Sequence, residues 1–324
     1  VRSIWPGRIT GGWIVSVIIL CSLGILPLLS PKVYFLSLLY MVFLYVVLAE
    51  SWNLIGGFAG YLSFGHVAFF GIGAYTTAFL MSTFHLPVAS VLPISLLGGL
   101  VSAAVALVVG YPCLRLRGPY FAVITLCFAF VVQILVENLP FFGGVEGLWL
   151  TPTKETVAFQ RALYYELMMG LMVVVLLVVR GIEHSRLGAG LIAIREDEDV
   201  AQCLGIPAPR IKLLAFVLSA FFPGVAGGFH ACYLTYISPV IVFDVMISIL
   251  IVLMTLLGGG GSWAGALLGA VSLSFVNEFL TTFVRAEIAR ILYGMLFIGV
   301  ILFLPNGLWE FIRNASFKRA HAER

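Results

Sequence analysis

Charge is what this chain of 324 residues has least of. Only 10% of it is Asp, Glu, Lys or Arg, where a soluble domain carries about 25%. Apolar residues make up 61%, so the chain reads as a polytopic membrane protein and an ordinary soluble domain is excluded. Cysteine is also sparse. Cys21, Cys127 and Cys232 fall in apolar runs, Cys113 beside a basic turn and Cys203 in a charged stretch. No spacing among the five suggests a metal site or a disulfide framework, and they read as small packing residues. No G-x-x-x-x-G-K-[ST] loop occurs, so ATP is not bound through a P-loop. Nothing resembles a nucleophile with its base. No enzyme activity, bound cofactor, metal or nucleic-acid partner is expected of the chain.

What is present is a series of apolar runs. A bilayer core needs about 20 apolar residues per helix, and ten candidates follow: 13–29, 33–55, 67–84, 88–109, 119–138, 162–179, 211–233, 243–257, 263–280 and 289–305. The expected fold is all-α, one transmembrane bundle over 1–324 with glycine-broken helices. The run from Trp13 to Leu29 lacks a small-residue cleavage pattern and reads as an uncleaved first span. With the first residue inside, 13 basic residues fall on the inner side and 5 on the outer. That bias places both termini in the cytoplasm.

The longest charged interruption, 180–212, holds five basic and five acidic residues. Gly188 and Gly190 loosen its entry. Ile194 to Leu204 then reads as one short helix with acidic first turns suited to the helix dipole. Gly205 stands at its stop position, and Pro207 and Pro209 forbid a restart. Ile194, Val200, Ala201 and Leu204 form a modest apolar side, which fits either a groove-docking helix or a solvated loop helix.

The second informative stretch runs from Glu50 to His66. Its glycines, serines, asparagine and histidine make a poor lipid-facing helix. Either it is a broken, re-entrant segment lining a translocation route, or it is a tight cytoplasmic hairpin whose glycines allow close helix contact. Phe222 to Gly228 is expected to kink or interrupt the seventh span, and Gly258 to Gly261 reads as a tight inner turn. The loop 139–161 is the longest outward-facing segment. Carboxylates at mid-membrane, the mark of an ion-coupled carrier, are almost lacking.

The run Glu50-Ser51-Trp52-Asn53-Leu54, Gly56 to His66 and Phe69 to Tyr75 resembles the signature of LivM-type permeases of branched-chain amino acid ABC importers. Ala193 to Glu198, Gly205-Ile206, Lys212 to Phe216, Gly224 to Gly227 and Leu256 to Trp263 are similar to the same family. Asp199-Val200-Ala201-x-x-x-Gly205 resembles its E-A-A-x-x-x-G coupling motif, with Asp for Glu and Val for Ala at the first two positions. The resemblance covers about 40–310. It implies a bacterial inner-membrane importer with a second homologous permease, two cytoplasmic ATPases that use the ATP, and an external substrate-binding protein. Arg195, Glu198, Asp199, Ala201 and Gly205 would form the ATPase-coupling helix within the coupling loop 180–212. Asn53, Gly57, Gly60, Ser63, Gly65 and His66 are the candidate translocation path. Leucine, isoleucine or valine is the default substrate. Similar permeases serve urea, short amides or aromatic acids, and Gly143 to Leu148 departs from the usual form. An ion-coupled secondary transporter is the remaining alternative.

Overall fold

The computed structural model describes residues 22–29, 33–150, 156–283, 286–303 and 307–309. Among the described residues, twelve α-helices with described bounds order the chain. They are α1 (Val33–Ile55), α2 (His66–Phe84), α3 (Val91–Cys113), α4 (Pro119–Asn138), α5 (Val157–Glu183) and α6 (Arg186–Glu196). After them come α7 (Glu198–Cys203), α8 (Ala208–Leu234), α9 (Pro239–Val242), α10 (Val245–Gly258), α11 (Trp263–Phe283) and α12 (Ala286–Phe303). Among the described residues, eight helical stretches are long and apolar enough to cross a membrane, and they fall on eight of the ten expected spans. The expected span 13–29 lies largely outside the described residues. At 289–305 stands α12, which includes the apolar stretch Ile291–Val300.

Helix α8 is the axle, packing on α1, α2, α3 and α5. It is buried over most of its length, which small residues permit: a Cβ on Gly73 would lie 1.9 Å from the Gly224 carbonyl oxygen, and one on Gly227 would lie 2.0 Å from that of Phe70. Backbones in apolar surroundings associate through such close approach, not through a hydrophobic gain. The expected interruption at Phe222 to Gly228 is therefore corrected. Pro223 sits inside a continuous α8, because the neighbouring helices enclose that stretch and support it. The span that is interrupted is the next one, at Phe243-Asp244, between α9 and α10. The Asp244 carboxylate accepts from the Met246 N–H at 2.9 Å and caps the new helix.

The connections collect at two ends of the bundle. At one, β1 (Leu148–Trp149) pairs antiparallel with β2 (Tyr236–Ile237), joining the long 139–161 loop to the end of α8. Near that end Tyr40 of α1 stacks on Tyr233, and its hydroxyl meets His230 Nδ1 at 3.3 Å. His230 thus has a packing role. At the other end the turns 56–60, 114–118, 184–207 and 259–262 touch one another through the bonds described below.

The glycine seam generates a direct test. Gly73→Ala should destabilise the bundle by about 1–3 kcal/mol through overpacking. Gly170→Ala in α5, where an added Cβ meets nothing within 4 Å, should be neutral or slightly stabilising. Thermal unfolding in detergent distinguishes the two, and equal melting points would contradict the seam.

Candidate coupling and gating site

Between α1 and α2 the chain does not form a simple hairpin. After a turn at 56–59 it runs as neither helix nor strand from Gly60 to Phe64, bonded to α1, α4 and α10, before α2 begins. Its depth follows from its partners. The Phe64 carbonyl accepts from Ser248 Oγ at 2.8 Å. Ser248 lies ten residues before the end of α10, about 15 Å along a helix. Backbone buried there must be paired within the protein. Four side chains do this. Trp52 Nε1 donates to the Ser63 carbonyl at 2.7 Å, Thr125 Oγ1 accepts from the Phe64 N–H at 3.1 Å, Ser248 Oγ accepts from Val67 N–H at 3.3 Å and Ser63 Oγ from Gly65 N–H at 3.3 Å.

Of the six path candidates, Asn53 sits in the last turn of α1, where its amide clamps the opposite glycine turn. Its Oδ1 accepts from Gly261 N–H at 2.9 Å and its Nδ2 donates to the Ser262 carbonyl at 3.1 Å. Gly57 lies against that turn, with no room for a Cβ beside Gly261 N at 2.5 Å. Gly60 takes a φ of +75°, a conformation that favours glycine. Ser63 lies in the segment 60–64, and Gly65 stands at the N-cap of α2. His66 opens α2, and neither ring nitrogen has a hydrogen-bond partner among the described residues. Asn53, Ser63 and His66 are fully buried within this one chain.

The coupling candidates sit on two helices, not one. The expected single helix 194–204 is corrected to α6 and α7, broken at Asp197, whose φ of −159° and ψ of 113° are extended. Its carboxylate accepts from the Asp199 and Val200 N–H groups at 2.9 and 3.0 Å, a cap that competes with helix continuation. Gly188 and Gly190 do not loosen an entry; they are buried inside α6, which Ser185 caps. At the far end the expected stop holds. Gly205 has φ +86°, its N–H reaches the Gln202 carbonyl at 2.9 Å, and Ile206 N–H reaches that of Ala201 at 3.0 Å. This is a Schellman closure. The apolar side splits as well: Ile194 and Ala201 face the bundle at 3% and 1% exposure, whereas Val200 and Leu204 stand out at 54% and 76%.

Arg195, on α6, donates from Nη1 to the Gly57 carbonyl at 2.9 Å. Glu198 is the hub. Lys212 Nζ donates to its Oε1 at 2.6 Å and Tyr61 Oη to its Oε2 at 2.6 Å, and Arg117 Nε lies 3.3 Å from Oε2. The buried Lys212 ammonium also donates to Tyr61 Oη at 2.8 Å and to the Leu114 carbonyl at 3.1 Å. All three of its protons are thereby engaged. Arg117 grips exposed Asp199 with two bonds, at 2.8 and 2.9 Å. Beside this cluster Glu183 Oε2 accepts from Trp263 N–H at 2.9 Å at the start of α11, and Arg180 covers that indole.

Burial raises the Glu198 carboxyl, but the hydrogen bonds from Lys212 and Tyr61 and the charges of Lys212 and Arg117 hold it below its usual value. Asp199 is held low by its bonds to Arg117. Burial and the bond to Glu198 push the Tyr61 hydroxyl up. Lys212, Tyr61 and Arg117 were not singled out as site residues from the sequence. The available signal was a lysine opening an apolar span, which water-facing placement would explain equally well.

The chain is similar to known permease proteins. The family described as branched-chain amino acid transport system / permease component matches residues 34–301. The high-affinity branched-chain amino acid transport system permease protein LivM of Salmonella typhimurium is 32% identical over 300 residues, 84% of this chain and 69% of the relative. LivM of Escherichia coli is 31% identical over the same shares. LivH of Escherichia coli, a permease protein of the same kind of system, is 32% identical over 127 residues, 39% of this chain and 41% of its own. No solved structure matches.

Two outcomes are expected of the cluster. Because the folded Glu198 carboxyl lies below its unfolded value, its contribution is complete above about pH 4.3 and is lost as pH falls through the depressed value. Hydrogen-exchange protection of 198–206 should follow that course. Protection that does not decline as pH falls below about 4.3 would contradict it. Lys212→Met, which strands a largely buried carboxylate, should cost about 3–5 kcal/mol in thermal or denaturant unfolding.

Proposed function

The chain belongs to the permease-component family of branched-chain amino acid transport systems, and from that premise we propose that it forms half of the membrane path of an ABC importer for leucine, isoleucine or valine. The observation that carries this reading is the family match across 34–301, with LivM relatives aligned over 84% of the chain. The second half of the path is a related permease: LivM and LivH are both named as permease proteins of such systems, and this chain is similar to both. Two cytoplasmic ATPases and an external substrate-binding protein complete the assembly, and ATP is bound by the ATPases alone. The protein is a multi-pass inner-membrane component, and the end of the bundle carrying α6 and α7 faces the cytoplasm, as do both termini.

In this reading α7 docks on an ATPase subunit. Val200 and Leu204 supply exposed apolar prongs, while Ala201 seats the helix on the bundle and Gly205 ends it. Arg195, Glu198 and Asp199 tie the docked helix to the neighbouring turns. The segment of Gly57, Gly60, Ser63 and Gly65, flanked by Asn53 and His66, is the element that opens and closes the path. It does not act as a static wall, since most of it is enclosed by its own subunit.

The test is reconstitution of the permease pair with its ATPases and binding protein. Leucine uptake should require ATP, and a proton or sodium gradient alone should drive none. Gradient-driven uptake without the ATPases would overturn the reading. Ala201→Glu should unseat α7 and lower ATP-driven uptake at least about tenfold. Uptake at the wild-type rate would remove the docking assignment.

A further inference from the structure

A moving helix at the membrane surface is useful only if something carries its displacement inward, and the segment between α1 and α2 is a candidate beside α8. The segment 60–64, neither helix nor strand, is held by side-chain bonds from Trp52, Thr125 and Ser248 and by one backbone bond, from Tyr61 N–H to the Ile55 carbonyl at 3.0 Å. Few bonds must break for it to shift. Residues 62–65 alone join Tyr61 to His66, and a chain can span at most about 3.6 Å per residue, so a displacement of Tyr61 is delivered to His66 and the start of α2. From there the glycine seam, where Gly73 meets Gly224 with no room for slack, passes it to α8.

The near end of this strut is fixed to α6 and α7 twice over. Arg195 holds the Gly57 carbonyl, and Glu198 holds the Tyr61 hydroxyl. The buried Lys212 ammonium closes the second link by binding both partners at once, at 2.6 and 2.8 Å, and it lies 4.7 Å from the centre of the Tyr61 ring. A charge with 3% side-chain exposure cannot release one acceptor without stranding itself. The link is therefore stiff where the segment beyond it is loosely held.

We infer that Lys212 and Tyr61 are positioning residues for transport: they weld the coupling helices to the re-entrant segment, so that α6, α7 and residues 57–61 move as one body and drive the start of α2. This rests on the importer reading and adds to it the transmission route. Loss of the link should disconnect hydrolysis from movement without removing either the ATPases or the path.

The proposal is tested in the reconstituted assembly by the leucine taken up per ATP hydrolysed, a ratio that a simple loss of folded protein does not change. Tyr61→Phe keeps the ring and removes the hydroxyl; the ratio should fall at least about tenfold, and a wild-type ratio would overturn the inference. A second, independent measurement uses Gly60→Cys with Arg195→Cys in a background free of the native cysteines. A Cβ on Gly60 lies 3.6 Å from that of Arg195, within the roughly 3.5–4.5 Å that a disulfide requires. If the two elements move together, oxidation leaves uptake at the level of the reduced pair. Uptake lost on oxidation and restored by reductant means that they move apart, and the inference fails while the importer reading stands. Absence of ATP-dependent uptake by the wild-type assembly would remove the importer reading itself.

Discussion

Peptide groups enclosed by apolar surroundings must be hydrogen-bonded within the protein, and the stretch from Gly60 to Val67 depends on that constraint more than any other part of the chain. A helix would meet the requirement by itself. Here the chain is neither helix nor strand from Gly60 to Phe64 while enclosed by the bundle, and the requirement falls on Trp52, Ser63, Thr125 and Ser248, contributed by three different helices and by the segment itself. These polar side chains inside apolar helices are thus explained: each completes a backbone that has no other partner. The same need places α1, α4 and α10 around the segment, and so determines how one end of the bundle is put together.

A second enclosed group organises the surface end. The Lys212 ammonium would be strongly unfavourable if it were alone, and the surroundings answer with a carboxylate, a hydroxyl and a carbonyl from three separate segments. Glu198 is drawn inward to match it and Arg117 follows, bringing Asp199 with it. The outcome is electrostatic at its centre and screened at its edge: the Lys212–Glu198 contact lies within the protein, while the Arg117–Asp199 pair stands in water and contributes little to stability. Burial, not the number of ion pairs, makes this cluster rigid.

Much of the fold was legible in the chain. Among the described residues, apolar runs of span length locate eight helices long and apolar enough to cross a membrane. Gly205 marked the end of α7, since a φ of +86° favours glycine. Other local signals misled. Pro223 and its glycines suggested a break, yet they lie in an unbroken helix because their smallness serves contact between helices. Asp197 looked like one acidic residue among several in a first turn, but its side chain captures two backbone donors and ends one helix to begin another. The interruption at Phe243-Asp244 lacked any glycine or proline to announce it.

By itself the sequence determined the class of the molecule, the positions of most spans, the gathering of charge into 180–212 and the family to which the chain belongs, because composition and motif act over neighbouring residues. Only the tertiary structure decided that Tyr61, Leu114, Glu198 and Lys212 meet, that the glycine-rich stretch re-enters the bundle, and that the loops 56–60, 184–207 and 259–262 form one surface. Those facts depend on contacts between residues as far as 209 positions apart, and burial created by distant helices turns an unremarkable lysine into the centre of a network.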